Sequence, residues 1–404
     1  MIRYANYKEP PSKGWTKPMQ PRDKHLMKKF LILAASSMVM TPVFAQSSAV
    51  LYGTVDDGFA YSTNQSGKHD YQLSQGALGS SKWGILINED LGGGYRSVAR
   101  LENGFDINSG KLNNNGRLFG RQAYVGLSGP FGTVLLGRQY DVVADSLLFA
   151  SSALKFAGIW GAHVNDVDNI WCSFSLNNSI KYISPTFAGL RASALFSLGG
   201  VAGDFSSGRK ESASLSYNYL SFDSAVVFSR INNPATSIYD ATAAPVPGGS
   251  FTNTITVPAF SGYASAQSLQ TIGAAMNYKF LGASVGAEYT NTRFQDVVRT
   301  SSTPFAGTAS FNTFELNATY LVTPAVQLGA GYTYSKTGTA TYGQLNLGTQ
   351  YYLSKQTMLY LVGAWQHAIG TDSTGKAAVA QIYGLSPSSN SNQLALRVGV
   401  RHSF

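Results

Sequence analysis

Cysteine, charge and long apolar runs are all scarce in this 404-residue chain. The single cysteine, Cys172, excludes an intrachain disulfide and any CxxC metal or redox motif. It leaves two readings open, an intermolecular pairing or a shielded thiol without a role. Charged residues make up 13% of the chain, against about 25% in an ordinary soluble domain. No stretch reaches the roughly 18 uninterrupted apolar residues of a membrane-spanning helix. HExxH and EF-hand spacings are missing. The five histidines, His25, His69, His163, His367 and His402, have no evident nucleophile beside them, which argues against catalysis. No metal or cofactor is expected. The net charge of +9 sits largely at the N-terminus. Setting aside the eight Lys/Arg and two acids of residues 1–45 leaves 22 basic and 19 acidic side chains, a surplus of three. That residue forms no basic patch or known motif, so a nucleic-acid partner is not expected.

What is present is glycine, tyrosine and a strict alternation. Leu394, Leu396, Val398, Val400, His402 and Phe404 occupy every second position, with Ala395, Arg397, Gly399, Arg401 and Ser403 between them. Phe314, Leu316, Ala318, Tyr320 and Val322 oppose Thr313, Glu315, Asn317 and Thr319. Ala213, Leu215, Tyr217 and Tyr219 oppose a row of Ser and Asn, and Ile272, Ala274, Met276, Tyr278 and Phe280 oppose Thr271, Gly273, Asn277 and Lys279. A period of two is that of a β-strand with one apolar face. Segments of about ten residues span a bilayer when tilted. Tyrosines at strand ends fit interfacial belts, and Ser, Thr, Asn, Gln and Gly on the other face suit a wet interior. The fold class predicted is all-β, a transmembrane antiparallel β-barrel.

Domain organisation follows from the N-terminus. Met27, Lys28 and Lys29 open a secretory signal: two lysines, an apolar run from Phe30 to about Met40, and Val43-Phe44-Ala45 as a small-x-small cleavage site. The expectation is a signal peptide over 27–45, a barrel over 46–404, and an upstream extension over 1–26 that is not part of the native chain. Seven short connections lie at 91–95, 128–132, 184–190, 220–223, 280–283, 323–326 and 353–357. Eight longer ones lie near 63–78, 106–116, 141–177, 199–210, 232–267, 294–309, 337–341 and 369–392. Fifteen connections predict sixteen strands with both ends on the short-turn side, around a lumen too wide for side chains to fill.

Four motifs carry a resemblance. Ser81–Phe105 (SKWGILINEDLGGGYRSVARLENGF), Arg117–Tyr140 (RLFGRQAYVGLSGPFGTVLLGRQY), Asn177–Leu190 (NNSIKYISPTFAGL) and the opening Leu51–Phe59 (LYGTVDDGF), with the terminal Phe404, resemble the general porins of Gram-negative bacteria. The resemblance implies a homotrimer in the outer membrane and a third outer loop, here Asp141–Leu176, folded into the barrel. It implies basic residues on the wall opposite that loop, by motif match Lys82, Arg121 and Lys181. Alternation alone puts Arg96 and Arg100 in the lumen, and Arg138 is a further wall candidate. Asp166 and Asp168 are the acids expected on the loop, facing the basic wall, and Phe404 the C-terminal assembly signal.

Such a barrel passes small hydrophilic solutes and ions by diffusion, with size set at the loop and charge by wall and loop side chains. The basic wall and the surplus of three charges predict a weak anion preference. Partners expected are the lipid bilayer and lipopolysaccharide, the barrel-assembly machinery, and two further copies of the chain. Three rival readings stand beside it: an outer-membrane enzyme, a substrate-specific channel with a track of lumen aromatics (Tyr52, Tyr342 and Tyr352 are candidates), and an interaction role for loops such as 232–267 alongside transport.

Overall fold

The structure, a computed structural model, describes residues 47–404. The extension and signal expected over 1–45 lie outside the described residues. The strands are β1 (Ser48–Gln65), β2 (Lys68–Gln75), β3 (Lys82–Gly92), β4 (Tyr95–Gly104), β5 (Gln122–Gly129), β6 (Gly132–Tyr140), β7 (Ser175–Ile183), β8 (Leu190–Ser197), β9 (Lys210–Tyr219), β10 (Phe222–Asn232), β11 (Ser268–Phe280), β12 (Ala283–Val297), β13 (Gly307–Thr323), β14 (Val326–Lys336), β15 (Ala340–Tyr352), β16 (Thr357–Gly370) and β17 (Asn392–Ser403).

Each strand pairs antiparallel with its neighbours, and β1 pairs with β17 in the register Thr54↔Ser403. The sheet therefore closes on itself and leaves no free edge, the condition for a sheet to stand in lipid. Along its other side β1 pairs first with β3 (Ser48–Thr54) and then with β2 (Asp57–Gln65). β2 and β3 are two halves of one barrel strand, interrupted at 76–81, and the cylinder has sixteen strands.

Asp56 organises the interruption. Its carboxylate accepts the backbone N–H groups of Leu78 and Gly79 at 2.8 and 3.1 Å, the Tyr360 hydroxyl at 2.5 Å and Arg397 Nη2 at 3.1 Å. Its own N–H donates to Ser81 Oγ. One sequence expectation is corrected here. The first outer connection is the two-residue hairpin Ser66–Gly67, with Gln65 opposite Lys68, not a loop over 63–78. Asp56 itself is fully buried and ion-paired. The pattern could not show this, because the break lies inside a polar stretch (Ser74–Ser81) that reads as loop.

Burial is inverted relative to a soluble protein. On β13, Phe314, Leu316 and Tyr320 are exposed, and Thr313, Glu315, Asn317 and Thr319 are buried. On β17, Leu396, Val398 and Val400 face out, while Ala395 and Arg397 are buried. Polar side chains point into the cylinder and apolar ones outward, as a bilayer as solvent requires. Among the described residues no helix is long and apolar enough to cross a membrane.

The C-terminus is part of the ladder. Phe404 donates its N–H to Gly53 O at 3.0 Å and accepts Gly53 N–H at 2.9 Å. A Cβ on Gly53 would stand 2.3 Å from the Phe404 ring, so only glycine fits there.

Candidate functional site

The lumen is narrowed by the long segment between β6 and β7. Residues 142–147 form a helical turn; its Val143 and Leu147, with Ala150 just beyond it, pack on Ala225, Val227 and Ala275 of β10 and β11. Ser146 Oγ donates to Ser214 Oγ on β9 at 2.8 Å, and Ser229 on β10 donates to Asp141 at 2.9 Å. The chain then crosses to β13. Ser152 N–H donates to Glu315 Oε1 at 2.5 Å, and Asn317 donates to Ala150 O at 2.7 Å. Lys155 Nζ donates to the amide oxygens of Asn277 and Asn317 at 2.7 Å each. Gln344 on β15 donates to Trp160 O at 2.6 Å, and Ile159 N–H reaches Ala77 O in the strand break at 2.6 Å. Phe156, Ala157 and Trp160 form an apolar cluster inside the barrel with Ala77, Leu78, Tyr360, Val362 and Ile382. The segment thus lies along the inner faces of β9 to β16, as a buried, hydrogen-bonded piece of structure.

The loop acids do not face water. Asp166 is 2% exposed and accepts the backbone N–H groups of Trp171 and Ser173, both at 2.8 Å. Burial and the adjacent Asp168 charge push its carboxyl up to about 7. Asp168 is also 2% exposed, bound to His163 Nδ1 at 2.6 Å and to Thr290 Oγ1 at 2.7 Å. Burial opposes its ionisation, yet His163 holds it below the ordinary carboxylate value. The expectation of Asp166 and Asp168 opposing the basic wall across the pore is corrected. A loop packed this tightly has polar groups to satisfy, and its carboxylates are spent on them: Asp166 on backbone N–H groups, Asp168 on His163 and Thr290.

The basic side is on β3, β4, the residue before β5, and β17. Its hub is Glu102, which accepts Tyr52 OH at 2.7 Å, Tyr140 OH at 2.8 Å and Arg121 Nε at 2.9 Å. A Cβ on Gly84 would meet the Tyr52 hydroxyl at 2.7 Å, so that glycine lets the phenol reach across. Arg121 stacks over the Tyr140 ring and Arg100 over the Tyr52 ring, at 5.4 and 5.6 Å. Lys82 lies within electrostatic range of Glu102, Arg121, Arg100 and Arg401.

Of the residues singled out in the sequence, Lys82, Arg100 and Arg121 therefore come together. The other three stand apart. Arg96 is opposite Asp90 beside the Gly92–Tyr95 turn, six residues from Glu102, or about 20 Å along a strand. Lys181 is 3% exposed and held by Asp145 at 2.6 Å and Tyr140 O at 2.7 Å. Arg138 sits at the end of β6 and donates to Gly120 O, Ser175 O and Asn177 Oδ1. Arg401 was missed as a site residue, although its inward position on β17 was legible in the alternation. His163, Glu288 and Glu315 were missed as a group. Glu288 and Glu315 had inward positions, but nothing in the sequence brings a loop histidine to them. Loop 232–267 is exposed only in part: most of 242–250 is exposed, whereas Phe251, Phe260 and Tyr263 are buried, with Phe260 and Tyr263 packed against Phe294 and Phe311.

Comparison with known proteins agrees with this geometry. A family model described as Gram-negative porin matches residues 32–370. The outer membrane porin protein 32 of Delftia acidovorans is 35% identical over 174 residues, covering 41% of this chain and 48% of that protein. The chain spans about half the length of the first curated relatives it matches. The solved anion-selective porin from Comamonas acidovorans superposes with a TM-score of 0.69 at 23% identity, over 89% of this chain and all of that one. A solved OmpT of Vibrio cholerae, described as a trimer form, superposes with a TM-score of 0.58 at 12% identity over 89% of this chain and 99% of that one.

Proposed function

Because the chain belongs to the Gram-negative porin family, we propose that it is an outer-membrane diffusion channel. It passes small hydrophilic solutes and ions through a water-filled lumen, with a weak preference for anions. Family and fold are those of a channel, and we assign no catalysis to the chain.

One observation carries the sign of the preference. Lys82, Arg100, Arg121 and Arg401 lie together on one wall, while the two loop acids that would have opposed them are buried and bonded. Glu102 offsets part of that charge, and the balance is positive. The Comamonas porin is described as anion-selective, which supports the same reading. Fixed charges on a low-dielectric frame focus their field into the lumen. No continuous aromatic track follows from Tyr52, Tyr342 and Tyr352: Tyr52 is tied to Glu102, Tyr352 donates to Gln350, and Tyr342 is buried under loops. The broad diffusion channel is therefore favoured over the substrate-specific one.

The homotrimer is part of this proposal, supported by family membership and the trimeric Vibrio relative. So are contact with lipopolysaccharide and recognition by the barrel-assembly machinery, for which the half-exposed Phe404 ring at the closing seam is the assigned signal. The test of function is the zero-current potential in a planar bilayer across a salt gradient. An anion-directed potential is expected. Sealed bilayers, or a clear cation preference, would refute the reading or its sign.

A further inference from the structure

We propose that His163, Glu288 and Glu315 bind one divalent transition-metal ion, zinc being the type case, which ties the inward loop to the barrel wall. The proposal goes beyond the channel reading and does not depend on it.

The geometry comes from two strands and one loop. Glu288 on β12 and Glu315 on β13 are directly cross-strand and both point inward. The loop brings His163 over them. Its Nε2 lies 3.2 Å from Glu315 Oε2 and 3.6 Å from Glu288 Oε2. One ligand atom from each residue lies within 4.8 Å of the others. Two ligands bound tetrahedrally at 2.0–2.2 Å are ~3.3–3.6 Å apart, so these separations leave room for an ion between them.

Three buried atoms are left without a hydrogen bond: His163 Nε2 and both Glu288 oxygens. All three ligand side chains are nearly inaccessible, with His163 and Glu288 side chains at 1% and 0% exposure. A buried carboxylate with two idle oxygens is costly unless something positive meets it. The surroundings are already arranged. Asp168 takes His163 Nδ1 at 2.6 Å, which leaves Nε2 with its lone pair toward the carboxylates when the imidazole is neutral. This carboxylate–histidine pairing is the usual outer shell of a metal-bound histidine. Glu315 Oε1 is held by Ser152 N–H and Asn317 Nδ2, both at 2.5 Å, and Oε2 accepts only the Thr333 hydroxyl at 3.4 Å, which leaves it a lone pair for the ion.

A dication bound by neutral His163 and the two glutamates would be balanced by the charges of Asp168, Glu288 and Glu315 together with Lys155, which Asn277 and Asn317 hold. A mixed imidazole and carboxylate set suits zinc and its first-row neighbours better than calcium or magnesium. A fourth position is left for water.

The test uses the mature chain, stripped with a chelator, refolded in detergent with zinc chloride and dialysed against metal-free buffer. One zinc per chain is expected by elemental analysis, with an imidazole nitrogen in the zinc X-ray absorption spectrum. Glu288→Gln and His163→Gln are each expected to weaken zinc binding at least tenfold. His367→Gln, a half-buried histidine on the outward face of β16, is expected to leave it unchanged. Zinc should raise the heat-unfolding temperature of the unaltered chain but not of Glu288→Gln. The absorption spectrum of the unaltered chain decides the matter even where a variant fails to fold. A stoichiometry well below one, a spectrum without imidazole, or equal binding by folded Glu288→Gln would overturn the site.

Discussion

The ring of Phe156 stands where a side chain on Gly329 would be: a Cβ there would come within 2.3 Å of it. Cβ atoms on Gly348 and Gly331 would meet the same ring at 2.8 and 3.4 Å. Three glycines on β14 and β15 thus form a socket for one fully buried aromatic. The inward loop is anchored there by shape, and by hydrogen bonds to Glu315, Gln327 and Gln344 on either side.

Phe156→Ala empties that socket. Truncating a fully buried phenylalanine costs about 3–5 kcal/mol. The barrel ladder does not include Phe156, so the cylinder is expected to fold while the loop loosens. Single-channel recording should show a larger and noisier conductance. A quiet, unchanged conductance would mean that the loop does not set the width.

Glu102 restrains the basic wall, with Arg121, Tyr52 and Tyr140 all on its carboxylate. Glu102→Gln keeps the shape and removes the charge. Breaking a buried pair from one side costs about 3–5 kcal/mol, here at the lower end, since the Arg121 side chain is 15% exposed. The variant should unfold at lower temperature and select anions more strongly. A stronger cation preference would contradict the assigned role of this wall.

Lys82→Glu and Arg100→Glu act in the opposite sense, each moving the zero-current potential toward cations. In the unaltered protein the preference should shrink as salt rises, because screening shortens from about 10 Å at 0.1 M to 3 Å at 1 M. Selectivity that persisted undiminished in molar salt would place its origin in a desolvated site and not in an open field.

Much of the cylinder was legible because its period is simple. Phe314, Leu316 and Tyr320 had to share a face, and a bilayer is the solvent that accepts that face. The strand count followed from turns such as Gly92–Tyr95. The interior was less legible. Asp56 reads like any inward acid, yet it caps a strand break whose Ala77 carbonyl holds Ile159. Asp166 and Asp168 read as pore acids because sequence shows charge but not the groups that claim it, backbone N–H groups for Asp166 and the His163 and Thr290 side chains for Asp168. His163 meets Glu288 and Glu315 across more than a hundred residues, and no spacing encodes that contact.

Cys172 tests whether the loop is sealed. It lies in the inward segment, half-buried. Burial, with Asp145 and Asp166 nearby, pushes its thiol well above the ordinary value, against the opposing pull of Arg121 and Lys181. The thiolate is the reactive form. Each unit by which the thiol is raised removes about nine-tenths of the thiolate present below its pKa, so labelling slows about tenfold per unit. At pH 8 the folded chain should react with a maleimide at least tenfold more slowly than the denaturant-unfolded chain. Raising the pH from 8 to 8.5 should speed the unfolded chain about twofold and the folded one about threefold, because the folded thiol is still far below its own pKa. Phe156→Ala, by loosening the loop, should bring the two rates together. Fast labelling of the folded, unaltered chain, or its ready dimerisation by oxidation, would show that water and a second thiol reach Cys172. The loop would then not be the sealed element that its hydrogen bonds describe.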